Sequence, residues 1–216
     1  MSTEIIVVDV KTPSDSTLTK VADQLRTGGL VVAPTETQYG LMARADEQSI
    51  IERLFHVKGR DMNSPTALFV ETANNLGKYG RLNLGVRKLA EAFLPGPLTL
   101  VLKSLRDWPP PRVVDGRIGL RCSSAPLVSL LLQRVDFPIS ATSANRSGRG
   151  GNQSVQEIAG EFGTDVDLYL DGGQLTGEPS TVVDCVGDQV RVLREGAITT
   201  ASIENVIGRS DEQRAE

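Results

Sequence analysis

Three polar stretches lie beside apolar runs and carry the residue types that handle anions. They are Pro34-Thr35-Glu36-Thr37-Gln38-Tyr39-Gly40, Lys58-Gly59-Arg60, and Ser143-Ala144-Asn145-Arg146-Ser147-Gly148-Arg149-Gly150-Gly151. Loops next to sheet ends are where open sheets bind ligands. The third stretch is rich in Gly and hydroxyls and precedes a helical pattern. Its backbone N–H groups either form an anion-holding concavity or make a plain turn, and composition alone favours the turn. Lys58 and Arg60 sit near a predicted helix C-terminus, where the macrodipole by itself accounts for cations. Arg117 and Arg121 share parity on a predicted strand and so aim at one face. Two cations on one face need an anion or carboxylate between them, or a solvated face paired with Asp or Glu. Arg194 ends the last predicted strand before Gly196, and His56 reads as structural rather than catalytic. No P-loop, strand-linked GxGxxG, Ser-His-Asp set or Cys-His set occurs, so neither familiar nucleotide-binding device nor an obvious nucleophile set is present.

The elements that must position these residues follow from periodicity. Residues 4–10 alternate as a strand, and 16–27 place Leu18, Val21, Ala22 and Leu25 on one helical stripe stopped by Gly28-Gly29. An apolar run at 30–33 ends at Pro34, and 39–45 resumes extended after the polar link 35–38. Asp46 is the expected N-cap of a helix carrying Ile50, Ile51, Leu54 and Phe55 and running out into Lys58-Gly59-Arg60. Strands are expected at 66–71, 98–102, 117–122, 138–142, 166–171, 181–186 and 189–194, and helices at 84–94, 127–135 and 155–162. Residues 108–111, Trp-Pro-Pro-Pro, read as a stiff exposed loop. The alternation predicts an α/β (α+β) fold: a twisted mixed sheet flanked by helices. Residues 1–208 are expected to form one domain and 209–216 a polar C-terminal tail.

The 216 residues carry 23 Lys+Arg against 27 Asp+Glu, a net charge of −4. That excludes wholesale electrostatic attraction to nucleic acid or anionic membrane, so any anion site is a local cluster. No apolar run approaches the ~18 residues of a membrane span, and the N-terminal residues lack a basic-then-apolar leader, so a cytoplasmic protein is expected. Cys122 and Cys185 stand alone, without a CxxC pair or a second His near His56. Two buried reduced thiols are expected, with no protein-bound metal.

Several ordered motifs together resemble the YrdC-like family of threonylcarbamoyl-AMP synthases over about residues 28–198. They are 34–41 (PTETQYGL), Lys58-Gly59-Arg60, 95–100 (PGPLTL), Ser143-Ala144-Asn145 leading into Arg146-Ser147-Gly148, 170–173 (LDGG), 179–184 (PSTVVD) and 192–198 (VLREGAI). The resemblance implies a YrdC/RibB-like fold with a concave basic cavity. It also implies condensation of L-threonine, bicarbonate or CO2 and ATP into threonylcarbamoyl-AMP and pyrophosphate, for N6-threonylcarbamoylation of adenosine-37 in tRNA. By the same resemblance Lys58, Arg60, Ser143 and Asn145 form the catalytic polar set. Arg60, Ser64, Arg117, Ser143 and Arg194 lie around ATP, and Thr37, Arg121 and Ser180 around threonine. Mg2+ accompanies ATP, and the product passes to separate tRNA threonylcarbamoyl transferase proteins, with weak direct tRNA contact.

This sequence departs from the family pattern at Ser64, where relatives often carry Asn, and at Phe69, where some carry His. It departs again at Gly151, commonly Ser, although Ser154 is nearby, and at Pro179, usually Glu, which could shift the Ser180 hydroxyl. The short chain implies the single-domain form without the additional C-terminal domain. Two other readings stay open: an RNA-binding module, and a paralogue of the same fold acting on another carbamoyl or acyl acceptor.

Overall fold

The computed structural model describes residues 4–148, 153–187 and 189–212. In chain order these form β1 (Glu4–Val7), α1 (Asp15–Arg26), β2 (Val31–Pro34), β3 (Tyr39–Met42), α2 (Gln48–Lys58), β4 (Ala67–Phe69), α3 (Leu84–Phe93) and β5 (Leu98–Lys103). There follow β6 (Arg117–Arg121), α4 (Pro126–Leu132), β7 (Ile139–Ser143), α5 (Val155–Phe162), β8 (Leu168–Asp171), β9 (Thr181–Asp184), β10 (Arg191–Arg194) and α6 (Thr200–Glu212).

Local chemistry explains most boundaries. Ser14 caps α1 by accepting from the Thr17 N–H, and the stripe Leu18, Val21, Ala22 and Leu25 is buried as its spacing predicts. α2 is entered differently from expectation. Its N-cap is Glu47, with no side-chain cap, because the Asp46 carboxylate is taken by Arg44, whose Nε and Nη2 donate to it at 2.7 and 3.0 Å. At the other end Gly59 adopts φ 59°, a left-handed cap that favours Gly, and the Arg60 N–H returns to the Phe55 carbonyl at 3.0 Å. This turn swings Arg60 off the helix axis.

Other segments also differ from the sequence reading. α6 lies where no helix is expected and runs through the start of the supposed tail to Glu212. Its signal is Ile203, Val206 and Ile207 at helical spacing, packed on the core behind Thr199, whose Oγ1 accepts from the Ser202 N–H. The loop at 108–111 is also less exposed than its prolines suggest. Buried Arg112 donates to the Ala45 carbonyl at 2.7 Å and to Gln48 Oε1, and its guanidinium stands 5.6 Å from the Trp108 ring centroid. Trp108 thereby packs against the core.

The strands form one mixed sheet in the order β1-β8-β2-β3-β7-β4-β6-β5-β9-β10. β7 joins two wings: Thr142 and Ser143 pair with β3, while Ile139, Ser140 and Ala141 pair with β4. In the first wing both faces are buried. Val32 and Leu41 join the cluster that includes α2 and α5, and Val31, Ala33 and Met42 join the one that includes α1 and α4. In the second wing Leu98, Leu100, Leu102, Ile118 and Leu120 pack toward α3 and α6. Their alternate neighbours Thr99, Val101, Arg117, Gly119 and Arg121 face a cavity instead of a helix. Each fully buried aliphatic side chain contributes about 1.5–3 kcal/mol, so the stability lies on the packed face and the other face is left for ligands.

Cys122 and Cys185 are free and buried. Burial first, and the Asp184 charge second, push the Cys185 thiol up to about 12, which makes it a poor nucleophile. His56 is exposed. No helix among the described residues is long and apolar enough to cross a membrane.

Candidate active site

The open face of the second wing bounds a cavity of about 750 Å³. Its floor is built from small side chains: Ala67 on β4, Gly119 on β6, Val101 on β5 and Ala141 on β7. A Cβ at Gly119 would stand 3.1 Å from that of Ala67, so glycine keeps this floor low. Around it the lining brings together Thr37, Arg60, Arg117, Arg121, Ser143, Ser180 and Arg194 from distant parts of the chain. Three of the predicted site residues, Lys58, Ser64 and Asn145, lie outside that lining.

One end of the cavity is set by the 35–38 turn between β2 and β3. Thr35 Oγ1 accepts from the Thr37 N–H at 3.2 Å and donates to the Gln38 carbonyl at 2.6 Å. Thr37 Oγ1 accepts from Arg121 Nη2 at 2.7 Å, and the same amino group meets Glu36 Oε1 at 2.9 Å. The Phe69 ring supports the Arg121 guanidinium at 5.7 Å. Ser180 Oγ lies 3.0 Å from Thr99 Oγ1 and accepts from Arg194 Nη2 at 3.2 Å. Pro179 therefore leaves the Ser180 hydroxyl in the cavity.

Arg194 is anchored by the Ser180 carbonyl, to which Nε and Nη2 donate at 3.2 and 2.7 Å. Arg60 Nη2 donates to the Pro65 carbonyl at 2.7 Å. Neither guanidinium has a carboxylate partner among these bonds. Burial lowers both below the ordinary arginine value, and Arg194 adds to the shift at Arg60 as Arg121 does at Arg194. Arg117 is neutralised by Asp184 at 2.5 Å. The two strand arginines thus each face a carboxylate, Asp184 being shared with Arg191 at 3.8 Å, while Arg60 and Arg194 concentrate positive charge that an anion would relieve. Among the described residues no group of three His, Cys, Asp or Glu could hold a metal ion.

Lys58 is only 2% exposed and does not line the cavity. Its Nζ donates to the Ser143 carbonyl and, at 2.8 Å, to the Asn145 carbonyl, and its own carbonyl accepts from the Ser147 N–H at 2.9 Å. Lys58 thus shapes the loop that presents Ser143. Burial first and the Arg60 charge second bring its ammonium down to about 7, against the opposing pull of Glu161. Asn145 is buried and donates to the Arg146 carbonyl at 2.9 Å. In the neighbouring loop the lining residue is Asn63. The Ser64 N–H instead closes a turn onto the Asp61 carbonyl, so Asn63 rather than the expected Ser64 reaches the cavity. Ser154 does not replace a serine at 151, because its hydroxyl caps α5 in a reciprocal box with Glu157. Gly151 itself lies outside the described residues.

Thr99, Asn63 and Asp184 were missed from sequence. The alternation of Thr99 with Leu98 and Leu100 in β5 was the available signal for the first. Gly196 is a further constraint: a Cβ there would approach the Pro179 carbonyl oxygen to 2.1 Å and Ser180 C to 2.9 Å. Gly196→Ala is expected to push the 179–180 backbone and cost about 1–3 kcal/mol. Thermal denaturation measures that loss, and an unchanged midpoint would contradict such crowding.

Fold and site together define an α/β protein with a cluster of arginines on an open sheet face. The family model described as Sua5_yciO_yrdC, telomere recombination, matches residues 23–196. The chain belongs to the Sua5/YciO/YrdC family. Threonylcarbamoyl-AMP synthase of Bacillus subtilis is 32% identical over 206 residues, covering 94% of this chain and 60% of that protein. The structure of Pyrococcus abyssi Sua5 complexed with L-threonine matches with a TM-score of 0.86 at 33% identity, covering 95% of this chain and 61% of that one. The chain therefore spans about three-fifths of these two relatives. Escherichia coli YciO shares the fold, with a TM-score of 0.85 at 24% identity over 93% of this chain and 99% of that one.

Proposed function

We propose that the protein is an L-threonylcarbamoyladenylate synthase. The observation that carries this reading is the convergence of Arg60, Arg121 and Arg194 with Thr37, Ser143 and Ser180 on one cavity, in a family whose named members include threonylcarbamoyl-AMP synthases. A volume of about 750 Å³ falls in the usual range for small-molecule sites, roughly 300–1,000 Å³.

The threonine carboxylate is assigned to Arg121 and Thr37, with the Ser180 hydroxyl beside it, because a guanidinium matches a planar carboxylate. The ATP phosphates are assigned to Arg60, Arg194 and Ser143, with Arg117 at the rim. The threonine amine attacks the carbon of CO2, releasing a proton, or that of bicarbonate, releasing water, and either route forms the N–C bond of the carbamate. A carbamate oxygen then attacks the α-phosphorus, and the bond to the bridging oxygen breaks as pyrophosphate departs. Arg60 and Arg194 neutralise the charge that grows on the leaving group. Mg2+ enters as part of the nucleotide substrate, held by phosphate oxygens, since the cavity offers guanidinium groups and hydroxyls rather than a cage of carboxylates. The product would serve separate cytoplasmic tRNA threonylcarbamoyl transferase proteins.

The test is mass-spectrometric detection of threonylcarbamoyl-AMP after incubation with ATP, Mg2+, bicarbonate and threonine, with serine in competition. The expected result is the threonine adduct, dependent on every substrate. Salt-sensitive RNA binding without turnover, or product formed only with another acceptor, would overturn the assignment.

A further inference from the structure

Glu36 is the third residue of PTETQYGL, yet it is absent from the cavity lining and the chemistry above gives it no task. Its carboxylate sits behind Arg121. Glu36 is 14% exposed and Arg121 11% exposed at their side chains. Oε1 accepts from Arg121 Nη2 at 2.9 Å, and Oε2 accepts from Ser123 Oγ. The Ser123 hydroxyl is oriented in turn: it accepts from the Ala125 N–H at 3.2 Å, so its single proton is committed to Glu36. Ser123 is 4% exposed, and no water is needed to complete the chain.

We propose that Ser123 and Glu36 form a positioning relay that holds Arg121 in the orientation in which it receives the amino-acid carboxylate. The inference rests on the synthase reading and deepens its amino-acid subsite. Arginine has five N–H donors on a long flexible stem, and Arg121 uses Nη2 for Glu36 and Thr37. Among the described residues no acceptor engages Nε, which is buried. Without Glu36 the guanidinium would keep only the Thr37 hydroxyl and the Phe69 ring as supports, with Arg194 repelling it from across the cavity. The carboxylate therefore fixes the arginine's rotamer and offsets one charge of a crowded cationic set, while leaving the Nη1 side of the fork uncommitted. Glu36 acts through Arg121 and touches no reacting atom.

The test compares Glu36→Gln, which keeps the shape and an acceptor oxygen but removes the charge, with Ser123→Ala, which removes one hydrogen bond. The expected result for Glu36→Gln is a rise of about tenfold in the KM for threonine and a matching rise in the calorimetric Kd, the scale of one charge-assisted hydrogen bond. The KM for ATP should stay within about twofold. Ser123→Ala should show the same selective effect at about threefold. In an Arg121→Lys background, Glu36→Gln should add little further loss, because the group it positions is gone. Threonine KM values within twofold of wild type in both variants would overturn the relay. So would parallel rises for threonine and ATP with a lowered melting temperature, which mark a merely structural ion pair. An inactive wild type that still binds threonine would overturn the synthase reading, and the calorimetric comparison would still decide the relay.

Discussion

Arg60→Ala is expected to lower threonine-dependent pyrophosphate release by about 10²–10³-fold while the far-UV circular dichroism stays unchanged. The magnitude is that of one preorganised group aimed at charge that develops in the transition state. The geometry supports a selective effect. Arg60 follows the left-handed Gly59 cap, so it lies beyond the last turn of α2. Its supports are the Pro65 carbonyl, the Thr142 hydroxyl at 3.5 Å and the Phe55 ring, 5.6 Å away, and loss of any one contact is tolerable to the fold. Burial and the Arg194 charge already disfavour its ionised form. The side chain is thus held at an electrostatic cost that bound phosphate would offset. Pyrophosphate release from Arg60→Ala at the wild-type rate would remove Arg60 from the transition state.

Lys58→Met is expected to lose activity by at least about tenfold for a different reason, with a stability defect that depends on pH. Methionine fills the volume but leaves the Ser143 and Asn145 carbonyls without their donor, at about 1–3 kcal/mol for each buried orphan, and it releases the loop that presents Ser143. Lys58 holds a folded value of about 7 against an ordinary 10.5. Between those values the unfolded chain keeps a proton that the folded chain has released, so this residue's contribution to stability rises as pH climbs from about 7 toward 10.5. A neutral amine still has two N–H bonds for two carbonyls, which is why the fold keeps its contacts after deprotonation. Urea denaturation of wild type and Lys58→Met at pH 6 and pH 9 measures the difference, and the gap is expected to be wider at pH 9. Taking the difference cancels the buried thiols and phenols, which titrate higher. A gap independent of pH would show that the ammonium is not the titrating group.

The two cations next to Gly59 illustrate how far a sequence can be read. Spacing placed both at a helix end, and motif resemblance placed both in the catalytic set. Only the fold separates them, because the left-handed cap turns the chain between them: Arg60 reaches the cavity, and Lys58 turns toward the β7 loop. The 63–64 pair shows the same limit. A count of residues after Arg60 selected Ser64, but the turn closed by Asp61 presents Asn63. Arg117 and Arg121 were legible as sharing one face, but their separate carboxylates, Asp184 and Glu36, come from elements far along the chain. α6 had a readable apolar stripe that the charged residues beyond it obscured.

By itself the amino-acid order determined the alternation of strands and helices, because apolar periods of two and of about 3.6 are local properties of a chain. It also determined which residue types were available for anion chemistry, and in motifs specific enough to indicate the family. Tertiary structure alone decided which face of the second wing is left without a helix, which arginines keep uncompensated charge there, and which buried ions serve as supports. Those outcomes depend on contacts between residues more than 60 positions apart, such as Arg117 with Asp184, Arg121 with Glu36 and Lys58 with Asn145. No local pattern encodes the distance between two such groups, or the electrostatic consequence of their meeting.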